Sequence, residues 1–225
     1  MNLSTAIAAA ADLLLGARCP GCGVAEFGAC AHCRTQLSAA RPQVMGLGQC
    51  RLTVVAAGSY SGVMKTLLIA LKERQSMGLV GVLGRRLAIS IAVLASVRPS
   101  ERIVLVPVPS ARAQVARRGQ DVTVALARAA AVRLRRAGVS VTVVACLRHR
   151  RRVADQAGLG VTARNRNLAG AFALRRGVPR GEVIVVDDIV TTGASLAEAA
   201  RVLTAAGRPP VGAATVAATP LRRRA

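Results

Sequence analysis

Three nearly continuous apolar runs constrain this chain more than any other feature. They lie in "RIVLVPVP" (102–109), "EVIVVDD" (182–188) and "VGAATVAATP" (211–220). A strand with one wet face alternates apolar and polar residues. A strand that is apolar throughout must be covered on both sides, which is the condition of a parallel sheet in an α/β protein. The intervening sequence supplies the covers. "VMKTLLIALKER" (63–74), residues 79–97, "QDVTVALARAAAVRLRRAG" (120–138) and "ASLAEAARVLTAAG" (194–207) have helical spacing, with Gly138 and Gly207 as helix stops. The expectation is a doubly wound α/β domain with a mainly parallel sheet. "RLTVVAAGSY" (51–60) and "VSVTVVACL" (139–147) read as further strands, residues 3–15 as a short helix, 41–48 as a connector and 148–167 as a long arginine-rich loop. The domain reading is 1–50 for an N-terminal helix and metal segment, and 51–225 for the α/β domain.

That metal segment rests on four cysteines. Cys19-Pro-Gly-Cys22 is followed seven residues later by Cys30-Ala-His-Cys33. Each C-x-x-C turn presents two thiolates, and two such turns complete a tetrahedral Zn²⁺ site with no open position, so the role expected is structural. A redox dithiol is the competing reading for one C-x-x-C. Gly23 suits a turn with positive φ. His32 reads as a solvated residue between ligands. Cys146 reads as a buried core thiol, and Cys50 has no assigned place.

The 225 residues carry 32 basic and 10 acidic side chains, a net charge of +22, and only two lysines, Lys65 and Lys72. Such a balance suits a polyanionic partner, either nucleic acid or a phosphorylated metabolite. GC-rich codon usage is an alternative source of the arginine preference, though not of the scarcity of acids. One Tyr, two Phe and no Trp argue against stacking platforms for single-stranded nucleic acid, so any DNA contact would run through phosphates. No segment reads as a membrane span: the longest apolar run, 87–97, is short and follows Arg85-Arg86. The N-terminus lacks a basic n-region and has Asp12 within its apolar stretch, so a cytoplasmic protein is expected.

In so acid-poor a chain, Asp187-Asp188 stands out at the end of "VIVV". Ligands of open α/β sheets bind beyond the carboxyl ends of the strands. Adjacent carboxylates there need a cation or hydroxyl donors to offset repulsion and desolvation. A polyol such as ribose, with or without a divalent cation, would supply them. Thr191-Thr192-Gly193-Ala194-Ser195 then leads into a helix N-terminus, the arrangement that binds phosphate through backbone N–H groups. It is not a Walker loop. The bland alternative is a strand-to-helix turn with Asp caps.

"VIVVDDIVTTGAS" resembles the phosphoribosyl-pyrophosphate (PRPP) signature of type I phosphoribosyltransferases. Taken with the cysteine segment, "YSGVMKTLLIALK" ending at Lys72, "VPVPSARAQVARRG" (106–119) and "RVADQAGLGVTARNRNLAGAF" (152–172), the chain resembles the ComF family nearly end to end. The resemblance implies that Asp187 and Asp188 hold ribose hydroxyls, with Thr191, Thr192, Gly193, Ala194 and Ser195 around the 5′-phosphate. It implies further PRPP contacts from Lys72, Ser110 and Arg112, a hood over 148–167 contributing Gln156 and Arg164, and Mg²⁺ arriving with PRPP. Arg117, Arg118 and Arg150 to Arg152 are further candidates for pyrophosphate. The implied reaction is phosphoribosyl transfer to a nitrogen acceptor. The family's link to DNA uptake in competence makes phosphate-mediated binding of single-stranded DNA the alternative, with a non-catalytic PRPP-sensing scaffold as a third. Where the family commonly has Phe-Asn-Gln, this chain has Gln120-Asp121-Val122.

Overall fold

The structure is a computed structural model that describes residues 18–47, 50, 52–97, 101–150 and 168–219. The helix expected over 3–15, Gln156, Arg164 and Arg151-Arg152 lie outside the described residues.

A six-stranded sheet forms the centre. Its strands are β1 (Gln43–Leu47), β2 (Leu52–Ala56), β3 (Ile103–Pro107), β4 (Val141–Val143), β7 (Glu182–Val190) and β8 (Gly212–Ala218), in the spatial order β1-β2-β8-β7-β3-β4. Every pairing is parallel except β1 with β2. A second, two-stranded antiparallel sheet pairs β5 (Leu147–His149) with β6 (Phe172–Leu174). The expected α/β architecture is therefore present.

Residue parity explains the apolar runs. Ile103, Leu105, Ile184 and Val186 face a core built with α2 (Gly62–Glu73), α3 (Val80–Val97) and α5 (Val122–Arg136). Val104, Val106, Val183 and Val185 face the opposite core, shared with α6 (Ala194–Ala205), β5 and β6. A polar residue at any of these positions would be buried on one face or the other. Two shorter helices complete the list: α1 (Ala31–Ala39) and α4 (Arg112–Arg118).

Three local expectations are corrected. The connector over 41–48 contains β1, whose backbone extends the sheet beside β2. The strand over 139–147 breaks at 144–146: its first half joins β3, and its second crosses to pair with β6. The helix α4 follows "VPVPS", where no helix was expected; seven residues give too few turns for periodicity to show.

The stretch Met77–Val97 is long and apolar enough by composition to cross a membrane, because Arg85 and Arg86 lie within the helix and do not end it. Half of it is buried, however, with Leu83, Leu87 and Ile91 fully inside the core. Each such side chain contributes about 1.5–3 kcal/mol by leaving water. Arg86 is buried too, and its guanidinium donates to the carbonyls of Ala40 and Ala57. This is a core helix clamped to its neighbours.

Candidate functional site

Asp187 and Asp188 lie in the last turn of the pleat of β7, at its carboxyl end. Asp188 follows the parity of Ile184 and Val186 toward α2, where its Oδ2 meets Lys72 Nζ at 2.9 Å. Lys72 stands in the last turn of α2. Burial works against its charge, but the Asp188 and Asp187 carboxylates outweigh that and hold the amine above the ordinary lysine range. Asp187 Oδ1 accepts a hydrogen bond from the Asp188 N–H at 2.8 Å. Burial, reinforced by the charge of Asp188, pushes the Asp187 carboxyl well above the usual carboxylate range, with Lys72 opposing. One carboxyl of the pair is thus neutralised by lysine. The other is set to gain from a cation or a ring of hydroxyl donors.

The loop after β7 turns on Gly193, with φ of +78°. A Cβ at this position would also come within 2.4 Å of the Leu47 side chain of β1. Backbone hand and close approach both require glycine there. Having no side chain, Gly193 itself supplies no side-chain cap to the start of α6. Thr192 Oγ1 accepts from the Ala194 N–H at 3.3 Å; Thr191 is exposed and Ser195 is half-buried.

The "VPVPS" loop follows β3, on the neighbouring strand. Ser110 donates from both N–H and Oγ to Asp121, at 3.1 and 2.9 Å. Asp121 Oδ1 also caps α5, accepting from the N–H groups of Thr123 and Val124. Its charge adds to the forces that push Asp187 upward. Arg112 opens α4, which ends in Arg117 and Arg118; both of these pair with Glu73 at 3.2 Å, and the Arg118 side chain is 4% exposed. Adjacent residues of α2 therefore hold both walls, Lys72 on β7 and Glu73 on α4. On the far side His149 Nε2 donates to the Pro109 carbonyl at 3.0 Å and its ring meets Phe172 edge to face.

The structure thus brings Lys72, Asp187, Asp188 and the start of α6 to one end of the sheet, with Ser110 on the adjacent strand's loop. Asp121, Glu73 and His149 belong to the same end and were not singled out in the sequence. Asp121 had a readable signal, an Asp directly before an apolar helical run. Glu73 and His149 had none, because their partners lie about 40 residues away in the chain.

A separate group that could hold a metal ion is formed by Cys19, Cys22, Cys30 and Cys33, whose sulfurs all lie within 4.8 Å of one another. The Cys19–Cys33 and Cys22–Cys30 separations are 3.7 and 3.5 Å. Four thiolates at about 2.3 Å from one ion would sit about 3.8 Å apart, close to these two separations, so the group could hold a metal ion. Gly21 makes this possible, since a Cβ there would lie 2.6 Å from Cys33 Sγ. Burial opposes ionisation of Cys19, but backbone N–H donors from Cys30, Cys22 and Gly21 prevail and lower its thiol to about 6. Burial and the neighbouring sulfurs push Cys33 up. His32 is exposed and contacts Gln36, as a non-ligand should. The cluster packs against Val63 of α2, which ties it to the α/β core. Cys146 is fully buried, and Cys50 packs at the edge of the core facing α6.

No protein-family model matches this sequence, and no curated protein matches it.

Proposed function

We propose that this chain binds PRPP at the carboxyl end of β7 and transfers its phosphoribosyl group to a nitrogen acceptor, as a type I phosphoribosyltransferase-like protein of the ComF kind. One observation carries the reading: an adjacent carboxylate pair, one member held by Lys72 and the other pushed upward, sits a few residues before a glycine-led helix start. Carboxylates suit the ribose hydroxyls, and a glycine-led helix start suits the 5′-phosphate a few residues on.

In this reaction the C1–N bond forms as the C1–oxygen bond to pyrophosphate breaks, and the nitrogen's proton passes to solvent. Asp187 and Asp188 orient the sugar, and the N–H groups of Thr191 to Ser195 fix the phosphate. Arg117 and Arg118, on the helix that follows the "VPVPS" loop, would exchange Glu73 for departing pyrophosphate. Mg²⁺ bound with PRPP would supply charge neutralisation. The protein's contribution is positioning and electrostatics, with no covalent intermediate. The cysteine centre fits structural Zn²⁺.

A second reading, phosphate-mediated binding of single-stranded DNA, is favoured by the +22 charge. Calorimetric titration of metal-loaded protein with PRPP, with and without Mg²⁺, separates the two. Magnesium-dependent binding lost in Asp187→Ala/Asp188→Ala supports the pocket and justifies a search for acceptors. No binding at millimolar PRPP would sink the first reading, and salt-dependent DNA binding would then carry the second.

A further inference from the structure

A cavity elsewhere in the molecule shares no lining residue with the Asp187–Asp188 end of the sheet. It opens between α1, α3 and α5, with a volume of about 300 Å³. The close crossing of α3 over α5 shapes this region, since a Cβ on Gly84 would lie 2.5 Å from that of Ala129. The cavity's floor is apolar. Leu37 and Leu134 are buried there, while Ile89 is 37% exposed, a large apolar side chain left facing solvent.

Its rim is cationic. Arg34, Arg85 and Arg133 line it and are exposed. Among the described residues, none of the three pairs with a carboxylate. Arg34 is partly fixed, with Nη1 donating to the Ala29 carbonyl at 2.6 Å. Arg86 also contributes to the wall and is 5% exposed. Two carbonyls satisfy its Nη2, its Nε has no partner, and no carboxylate among the described residues offsets its charge. Buried charge without a counter-ion is costly. Burial accordingly weakens the hold of Arg86 on its proton.

We propose that this groove binds a small amphiphilic carboxylate, its apolar tail against Leu37, Ile89 and Leu134 and its head among Arg34, Arg85 and Arg133. Apolar floor and cationic rim together select an anion with an apolar body, over inorganic phosphate or a neutral oil. The volume lies at the lower end of small-molecule pockets.

Octanoate is the probe, titrated calorimetrically into the whole metal-loaded chain at low salt, with acetate as the charge-only comparison. One saturable octanoate site per chain is expected. Ala92→Trp, at an exposed position lining the groove, should abolish it by filling the space. Arg85→Ala/Arg133→Ala should weaken it by roughly tenfold or more, as loss of charge-assisted hydrogen bonds does. Arg176→Ala, an exposed arginine near Cys146 on the opposite core, should leave it unchanged. Circular dichroism checks that each variant folds, and the arginine pair carries the test if the tryptophan does not. The proposal is overturned by absence of octanoate binding, by acetate binding equally well, or by equal loss in Arg176→Ala.

Discussion

Lys72 and Asp188 form an ion pair, Nζ to Oδ2 at 2.9 Å, that fastens the end of α2 to the carboxyl end of β7. Their side chains are 30% and 10% exposed, so water screens the pair only in part. Lys72→Met should leave two adjacent carboxylates without their cation and cost about 1–3 kcal/mol, as loss of a charged buried partner does. Adding Asp188→Asn to that variant should recover part of the loss. A double-mutant cycle by denaturant unfolding measures the coupling, and strictly additive effects would show that the two groups do not interact.

Asp187 carries a pH signature. Its folded-state pKa is raised, chiefly by burial and by Asp188. The folded protein therefore binds more protons than the unfolded chain above the ordinary aspartate range, and this contribution to stability declines as pH rises toward the folded pKa. Asp187→Asn removes the cost of the buried charge. At neutral pH the variant should melt about 2–4 °C higher, equivalent to about 1 kcal/mol, and the gap should close as pH falls toward 4. A gap independent of pH would exclude Asp187 as its source. On the proposed function, the stabilised variant loses PRPP.

The residues that announced the fold are those whose environment is set by their own segment. Val183 to Val186 must be buried on both faces wherever the strand lies, so the parallel sheet was legible. Asp187, Asp188 and Gly193 were legible as a group because strand, carboxylates and helix start follow one another in the chain. The ion pair with Lys72 was not, since 116 residues of sequence carry no record of which carboxylate a lysine will meet. Nor was β1. Its five residues, Gln43–Leu47, are largely exposed, and pairing with β2, not burial, makes them a strand.

That unforeseen strand bears on the loop. Leu47 of β1 occupies the space in which a Cβ on Gly193 would sit. Gly193→Ala should cost about 1–2 kcal/mol for the left-handed backbone and about 1–3 kcal/mol more for the overlap. Leu47→Ala should relieve the second cost and not the first. Thermal melts of the two single variants and the double variant decide this; a double variant no more stable than Gly193→Ala alone would show that Leu47 is not the obstacle.

At the cysteine centre the equivalent position is Gly21. A methyl group there would displace Cys33 Sγ, 2.6 Å away. Gly21→Ala should retain all four thiols yet hold its metal roughly tenfold or more weakly, in the range seen when the support of a ligand is disturbed. Metal content by elemental analysis, followed by competition with a chromogenic chelator, measures it. Wild-type protein should carry one ion per chain, and unchanged retention in the variant would mean that the knuckle relaxes freely.

Glu198 joins α6 to the small sheet. Its carboxylate receives Arg201 Nε and Nη2 at 2.8 and 2.9 Å and the Phe172 N–H at 3.3 Å. Burial favours protonation, but these donors, led by Arg201, outweigh it and hold the carboxyl below the ordinary glutamate range. A depressed folded pKa stabilises the protein above the unfolded value and is lost as pH falls through the folded one. Glu198→Gln keeps an oxygen for Phe172 but loses the charge, so it should be less stable than wild type at pH 7 and match it once acid has neutralised Glu198. Melting both proteins from pH 7 to 3 follows the convergence. A constant difference would place the loss in packing around β6, with the ion pair contributing nothing.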